Sequence, residues 1–198
     1  MKYNQDIFIP ASFEHAKDIV LTPTDPNRFE NETNQFMEII SNENIISSQK
    51  IVLDFGCGMG RISKQLVNRF DCEVIGLDTS IDMLKLATMY VANHNRFVTC
   101  SSFIRENVID VCIAAYVLQH VEYPVKEIET IANAVRKDGY LVLLNESNNR
   151  LIPGNLREDN SVIWYNDYFD VFAEVEKYFT LLKSIPIDNV NSVKIYKK

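Results

Sequence analysis

The sequence predicts an α/β fold in one globular unit. Apolar blocks alternate between strand-like and helix-like along the chain, a continuous apolar run lies near its middle, and alternate glycines sit between a buried strand and a helix. At 198 residues the chain can bury one core but is short for two ordinary domains. No stretch approaches the roughly 20 consecutive apolar residues of a membrane span. The start, Met1 to Asp6, has an early acid and no basic region followed by an apolar run, so it does not read as a secretory signal, and a cytoplasmic location is expected. Cys57, Cys72, Cys100 and Cys112 are scattered, without a paired spacing or a nearby His pattern; reduced core thiols are expected, and no metal site. A net charge of -7 argues against nucleic acid or an anionic membrane as the main partner.

Taken in order, Met1 to Pro26 shows no regular pattern, and Asn27 to Asn44 reads as a helix with Phe36, Met37, Ile39 and Ile40 apolar. Its simplest role is to cover the sheet edge; the alternative is that Arg28 and the Thr24 to Glu30 segment close over an active site. Ile51-Val52-Leu53 is a buried strand, followed by a glycine turn and a helix with Ile62, Leu66, Val67 and Phe70 at helical spacing. Val74 to Leu77 is a second strand, after which Thr79 or Ser80 can cap a helix presenting Met83, Ala87, Tyr90 and Val91. Phe97 to Cys100 makes a third strand. The run from Val108 to Ala115 does not alternate and should lie mid-sheet. Val125, Ile128, Ala132 and Val135 form a helical stripe, with Lys137-Asp138-Gly139 as a basic last turn and glycine stop before the strand Tyr140 to Leu144. Asn145 to Ser161 reads as loop and about Asn166 to Lys177 as helix. Phe179 to Ile187 and Val193 to Tyr196, divided by the turn signal Asp188-Asn189, suit an antiparallel hairpin.

Chemistry concentrates in Asp54-Phe55-Gly56-Cys57-Gly58-Met59-Gly60. Glycines at a strand-to-helix junction permit positive φ and let a ligand touch the main chain. Asp78 follows the second strand, where a carboxylate accepts from ribose hydroxyls in nucleoside sites. A nicotinamide dinucleotide is disfavoured, because Arg61 stands where the third glycine of its fingerprint belongs and Asp54 would repel a pyrophosphate. S-adenosylmethionine (SAM) brings an ammonium and a sulfonium, which suit the acidic lining.

The glycine run, Asp78, the block Ile109 to Val121 and the segment Val135 to Leu141 together resemble class I SAM-dependent methyltransferases, and most closely the group called methyltransferase type 11. The resemblance implies a Rossmann-like three-layer sandwich with a seven-stranded, mostly parallel sheet whose last strand is antiparallel. It implies one domain over 1–198, with a helical cap at 1–48, a SAM-binding core at 49–146 and a substrate-side loop, helix and hairpin at 147–198. It places Asp54, Gly56, Gly58 and Gly60 around the methionine half of SAM, Asp78 on the ribose, and Thr79 and Met83 beside the adenosine. The family's acid after the third strand is replaced by Ser101-Ser102-Phe103, which leaves a serine oxygen and a phenyl face for the adenine.

Ligands of open α/β sheets lie beyond the carboxyl ends of the strands, which nominates Tyr116 and His120, then Asn145, Glu146 and Arg150. Tyr116 is assigned to cofactor binding. His120 and Glu146 are the catalytic candidates, as general bases; each has a plainer reading, His120 as a cap or packing residue and Glu146 as a solvated acid. Trp164, Tyr165, Tyr168 and Phe169 either roof an acceptor pocket or pack the core. His15 and His94 are expected at the surface. The expected activity is methyl transfer from SAM to an oxygen or nitrogen of a small molecule, releasing S-adenosyl-L-homocysteine, by a monomer or homodimer. A non-catalytic SAM-fold regulator and a nicotinamide oxidoreductase are the alternatives.

Overall fold

The computed structural model describes residues 8–21, 27–92, 94–102, 104–145, 170–189 and 191–198. In chain order these form α1 (Phe13–Val20), α2 (Arg28–Asn42), β1 (Ile51–Phe55), α3 (Arg61–Phe70), β2 (Glu73–Leu77), α4 (Ile81–Tyr90), β3 (Phe97–Cys100), β4 (Ile109–Ala115), α5 (Pro124–Ala134), β5 (Val135–Leu144), α6 (Val171–Val175), β6 (Thr180–Pro186) and β7 (Ser192–Lys197). The strands make a seven-stranded sheet in the order β3-β2-β1-β4-β5-β7-β6. Pairing is parallel from β3 through β5, and β7 runs antiparallel to both β5 and β6. The sandwich, the central place of the continuous apolar strand and the terminal hairpin all agree with the sequence reading.

Strand alternation sorts the core into two layers. Val52, Val74, Val111, Ile113 and Val142 face one side, where Phe36, Met37 and Ile40 of α2 and Ile62, Leu66 and Val67 of α3 pack on them. Leu53, Phe55, Cys112, Leu141, Leu143 and Tyr196 face the other, against Ile128, Ile131 and Ala132 of α5 and Val171 and Val175 of α6. Each fully buried aliphatic side chain contributes about 1.5–3 kcal/mol, so two continuous layers account for most of the driving force. This alternation also has a local consequence. With Leu53 and Phe55 facing α5, Asp54 faces α3.

Helix boundaries follow from side-chain caps. Ser80 opens α4 by accepting from the Met83 N–H, and Asp170 opens α6 by accepting from that of Ala173. Asp71 closes α3 in the left-handed region at φ 50°.

Several expectations are corrected. Helix α1 lies within the segment where no pattern was read; its signal is short, with Ser12 accepting from the His15 N–H at 3.1 Å and one apolar edge. Helix α2 covers a face of the sheet, not its edge, because Phe36, Met37 and Ile40 make a stripe wide enough to pack on α3 and the strands together. The helix before β5 ends at Ala134, and Val135 already pairs with Ile109 in the sheet. Lys137-Asp138-Gly139 is therefore an interruption inside the strand, with Asp138 at φ 63°, and not a helix end. Of the helix expected over about 166–177, the described part is α6, and 166–169 lie outside the described residues. His94 is half-buried, accepting from the Arg96 N–H at 3.3 Å, while His15 is exposed as expected. The described cysteines are free, and all but Cys100 are buried. No helix among the described residues is long and apolar enough to cross a membrane.

At the amino ends of β1 and β4, Asp110 ties the sheet together. It accepts from the Ile51 N–H at 2.8 Å and pairs with Lys50 at 3.2 Å and Arg136 at 2.5 Å. Asp110→Ala leaves the Ile51 N–H without its acceptor while the released Lys50 and Arg136 remain solvated, so a loss of about 1–3 kcal/mol is expected in denaturant unfolding. Because this cluster lies at the opposite end of the strands from the glycine turn, ligand affinity of the folded fraction should stay unchanged.

Candidate functional site

The turn after β1 is held by main-chain geometry. Gly56, Gly58 and Gly60 have φ of 70°, 53° and 85°, a region side chains with a Cβ enter only at a cost. The Cys57 N–H donates to the Leu77 carbonyl at 2.8 Å and the Gly60 N–H to the Cys57 carbonyl at 2.9 Å, folding the loop across the end of β2. Val117, just past β4, presses on the loop so closely that a Cβ at Gly56 would stand 2.2 Å from its Cγ2. At Gly58 the nearest obstacle is Val20 of α1, at 3.2 Å.

Two carboxylates brace this turn from opposite ends. Asp78 Oδ2 accepts from the Gly58 N–H at 2.8 Å and its Oδ1 from the Ser80 N–H at 2.9 Å, linking the loop to the start of α4. Burial raises the Asp78 pKa, and the backbone N–H donors partly oppose that rise. A carboxylate has about four acceptor sites, so these bonds leave lone pairs for further donors. Asp54, reaching α3 as the strand alternation requires, accepts from both the Ser63 N–H at 2.9 Å and the Ser63 hydroxyl at 2.6 Å. Burial pushes Asp54 up to about 6, while the Ser63 bonds and the Arg61 charge pull it down.

The remaining residues named from the sequence surround this turn unevenly. Thr79 is exposed beside Asp78. Met83 is buried with Met59 and Ala16, beneath α1. Ser101 and Ser102 are exposed in a bend after β3, and Phe103 lies outside the described residues. Tyr116 sits at φ 57° immediately after β4, its N–H donating to the Leu144 carbonyl at 2.6 Å. His120 closes a short 3-10 turn, Leu118–His120, and meets the Phe8 ring edge-on at 5.4 Å. Asn145, at the end of β5, accepts from the Gln119 N–H at 3.1 Å. Glu146, Arg150, Trp164, Tyr165, Tyr168 and Phe169 lie outside the described residues.

Some participants escaped the sequence reading. The segment before α2 crosses the site: the Phe8 carbonyl accepts from the Ser80 hydroxyl at 3.1 Å, and α1 sits over the glycine turn with Val20 against Gly58. Its signals were the Ser12 cap and the spacing of Phe13, Ala16 and Val20. Ser63 and Val117 gave none, because their importance comes from side-chain contacts, Ser63 with Asp54 and Val117 with Gly56.

This arrangement of a parallel sheet with a reversed last strand, a glycine turn at the end of β1 and an acid at the end of β2 defines a class I nucleoside-binding methyltransferase fold. Residues 53–143 match the family described as methyltransferase domain, a likeness that supports a class I SAM-dependent methyltransferase with SAM as its cofactor. The chain is 31% identical over 121 residues to a trans-aconitate 2-methyltransferase of Rhodopseudomonas palustris, covering 57% of this chain and 42% of that one. It is 30% identical over 105 residues to a ubiquinone biosynthesis O-methyltransferase of Glaesserella parasuis, covering 48% and 44% respectively. The chain thus spans less than half the length of these curated relatives. In fold it is similar to a SAM dependent methyltransferase from Aquifex aeolicus, with a TM-score of 0.68 at 14% identity over 91% of this chain and 97% of that one.

The donor set suits SAM. Its glycine turn admits a ligand against the main chain, Asp54 suits an ammonium, and Asp78 retains acceptor capacity for ribose hydroxyls. Two substitutions separate the turn's internal strain from its outer clearance. Gly56→Ala should cost about 3–5 kcal/mol in denaturant unfolding, since the positive φ and the Val117 collision add. Gly58→Ala, with only Val20 to displace, should cost about 1–2 kcal/mol.

Proposed function

We propose that this chain is a SAM-dependent methyltransferase that passes the methyl group to an oxygen or nitrogen of a small-molecule acceptor, working in the cytoplasm. The observation that carries the reading is the Asp78 carboxylate, fixed by the Gly58 and Ser80 N–H groups at the junction of the glycine turn and α4. The names of both curated relatives point to small-molecule acceptors, and the charge of -7 disfavours a polyanion.

SAM, when bound, supplies a methyl group already activated on a sulfonium. An acceptor lone pair would take that methyl carbon as the sulfur leaves with the carbon–sulfur pair, and the acceptor would then have a proton to lose. The chain's task is to hold two partners in line and to take that proton. Asp78 and the glycine turn orient the nucleoside, and Asp54 faces the ammonium. Just beyond the carboxyl end of β4, Tyr116 lies on the cofactor and His120 flanks the acceptor side. His120 is the group whose unperturbed pKa suits proton removal near neutrality.

Titration calorimetry and a labelled-methyl assay over trans-aconitate, hydroxyquinones and simple amines test the reading. Expected are saturable SAM binding, turnover on one acceptor class, and loss of SAM affinity in Asp78→Asn. SAM binding without turnover on any acceptor would instead support a non-catalytic module. His120→Gln should lower kcat by about 10²-fold with SAM affinity nearly unchanged; an unaltered kcat would reduce His120 to packing against Phe8.

A pH series checks the role of Asp54. Its folded pKa is raised to about 6, so the native chain holds a proton there that the unfolded chain has already lost, and this group alone lowers stability as pH rises through that window. An ammonium ligand needs the carboxylate. SAM affinity should therefore weaken below pH about 6, by up to about tenfold per unit, and Asp54→Asn should abolish that dependence.

A further inference from the structure

Phe8 precedes every strand of the sheet, yet it is held against the carboxyl ends of the strands at both of its ends. Its main-chain carbonyl accepts from the Ser80 hydroxyl at 3.1 Å. Its ring meets the His120 imidazole edge-on, with centres 5.4 Å apart and planes at 65°. Ser80 is itself fixed, because its N–H donates to Asp78 at 2.9 Å and its hydroxyl oxygen accepts from the Met83 N–H at 3.3 Å. The residue ahead of α1 is thus tied both to the start of α4 and to the turn beyond β4.

Core packing does not account for this contact. Among the described residues, the half-buried Phe8 ring belongs to neither apolar layer of the sheet nor to the Ala16, Met59 and Met83 cluster beneath α1. Its neighbour Ile9 is exposed. A phenyl group placed for stability alone would gain more by full burial in one of the layers. Here it covers one side of an imidazole instead.

The main chain at His120 is already set. The His120 N–H donates to the Val117 carbonyl at 2.9 Å, and the Gln119 N–H donates to Asn145 Oδ1 at 3.1 Å, so the 3-10 turn is closed on itself and docked on the end of β5. A fixed main chain still leaves the side-chain torsions undecided, and a base works only when its ring nitrogen comes within hydrogen-bond reach of the proton it takes. An edge-on aromatic pair favours one arrangement of the rings over others by about two- to tenfold. We propose that Phe8 is a positioning residue for His120: anchored through its carbonyl by Ser80, it holds the imidazole in the orientation that removes the acceptor's proton. The inference rests on the reading of His120 as the base. It gives the segment ahead of α1 a part in proton removal in addition to its bond with α4.

The test is a double-mutant cycle on the full chain, using the labelled-methyl assay over trans-aconitate, hydroxyquinones and simple amines. Phe8→Leu keeps the main-chain carbonyl and the apolar bulk but removes the ring; it should lower kcat by about two- to tenfold with acceptor KM and SAM affinity unchanged. Phe8→Tyr, which keeps a ring, should recover most of that loss. In a His120→Gln background Phe8→Leu should cost nothing further, because the ring acts through the imidazole. An equal loss in both backgrounds, or a rise in KM in place of the fall in kcat, would overturn the proposal. A normal kcat in Phe8→Leu beside an impaired His120→Gln would overturn it alone, whereas a normal kcat in His120→Gln would overturn the reading of the base beneath it. Proton NMR needs no acceptor. The chain has three histidines, and the imidazole signal missing from His120→Gln should move in Phe8→Leu and stay close to its place in Phe8→Tyr. A signal that ignores the loss of the ring would remove the contact, and the proposal with it.

Discussion

The Asp78 carboxylate is the constraint on which the site depends. Three left-handed glycines alone would leave the turn after β1 with many conformations, since glycine loses more backbone freedom on folding than any other residue. Asp78 selects one of them by accepting from Gly58 on one side and Ser80 on the other, so that the loop and the first turn of α4 become one piece. The Cys57 to Leu77 bond and the pressure of Val117 on Gly56 complete the bracing. The result is a surface of main chain held rigid before any ligand arrives, and preorganisation of that kind is what lets a few polar contacts hold a nucleoside tightly.

Charge is distributed around that surface with a purpose the packing does not require. A core built for stability alone would replace Asp54 and Arg61 with apolar side chains of similar size, because buried ions repay their lost hydration only under good geometry. Asp54 is partly repaid by both bonds from Ser63, and its pKa still rises to about 6. Arg61 is repaid less, through Thr33. Both are ions that a purely apolar core would not carry, and Asp54 stands just before the glycine turn.

The periodicity of the chain carried most of the architecture. The unbroken apolar run of β4 announced its central position, because that signal arises from local burial. The boundary of α5 was misplaced for the opposite reason: Val135 fits a helical stripe, and only its pairing with Ile109 makes it strand. The site divided in the same way. The glycines and Asp78 were legible from spacing, since loop chemistry is written locally. Helix α1, Phe8 and Val117 were not, because each acts through a neighbour distant in the chain. Arg61 was read as a missing glycine, and its burial against Thr33 of α2 left no mark in the spacing.

The central claim is that Asp78 and the glycine turn hold the sugar and methionine ends of one nucleoside. A crystal structure with S-adenosylhomocysteine tests it directly. The account predicts ribose hydroxyls donating to Asp78 while the Gly58 and Ser80 bonds persist, with the homocysteine chain lying along the turn. A nucleoside bound elsewhere, or a turn filled by a phosphate, would contradict it.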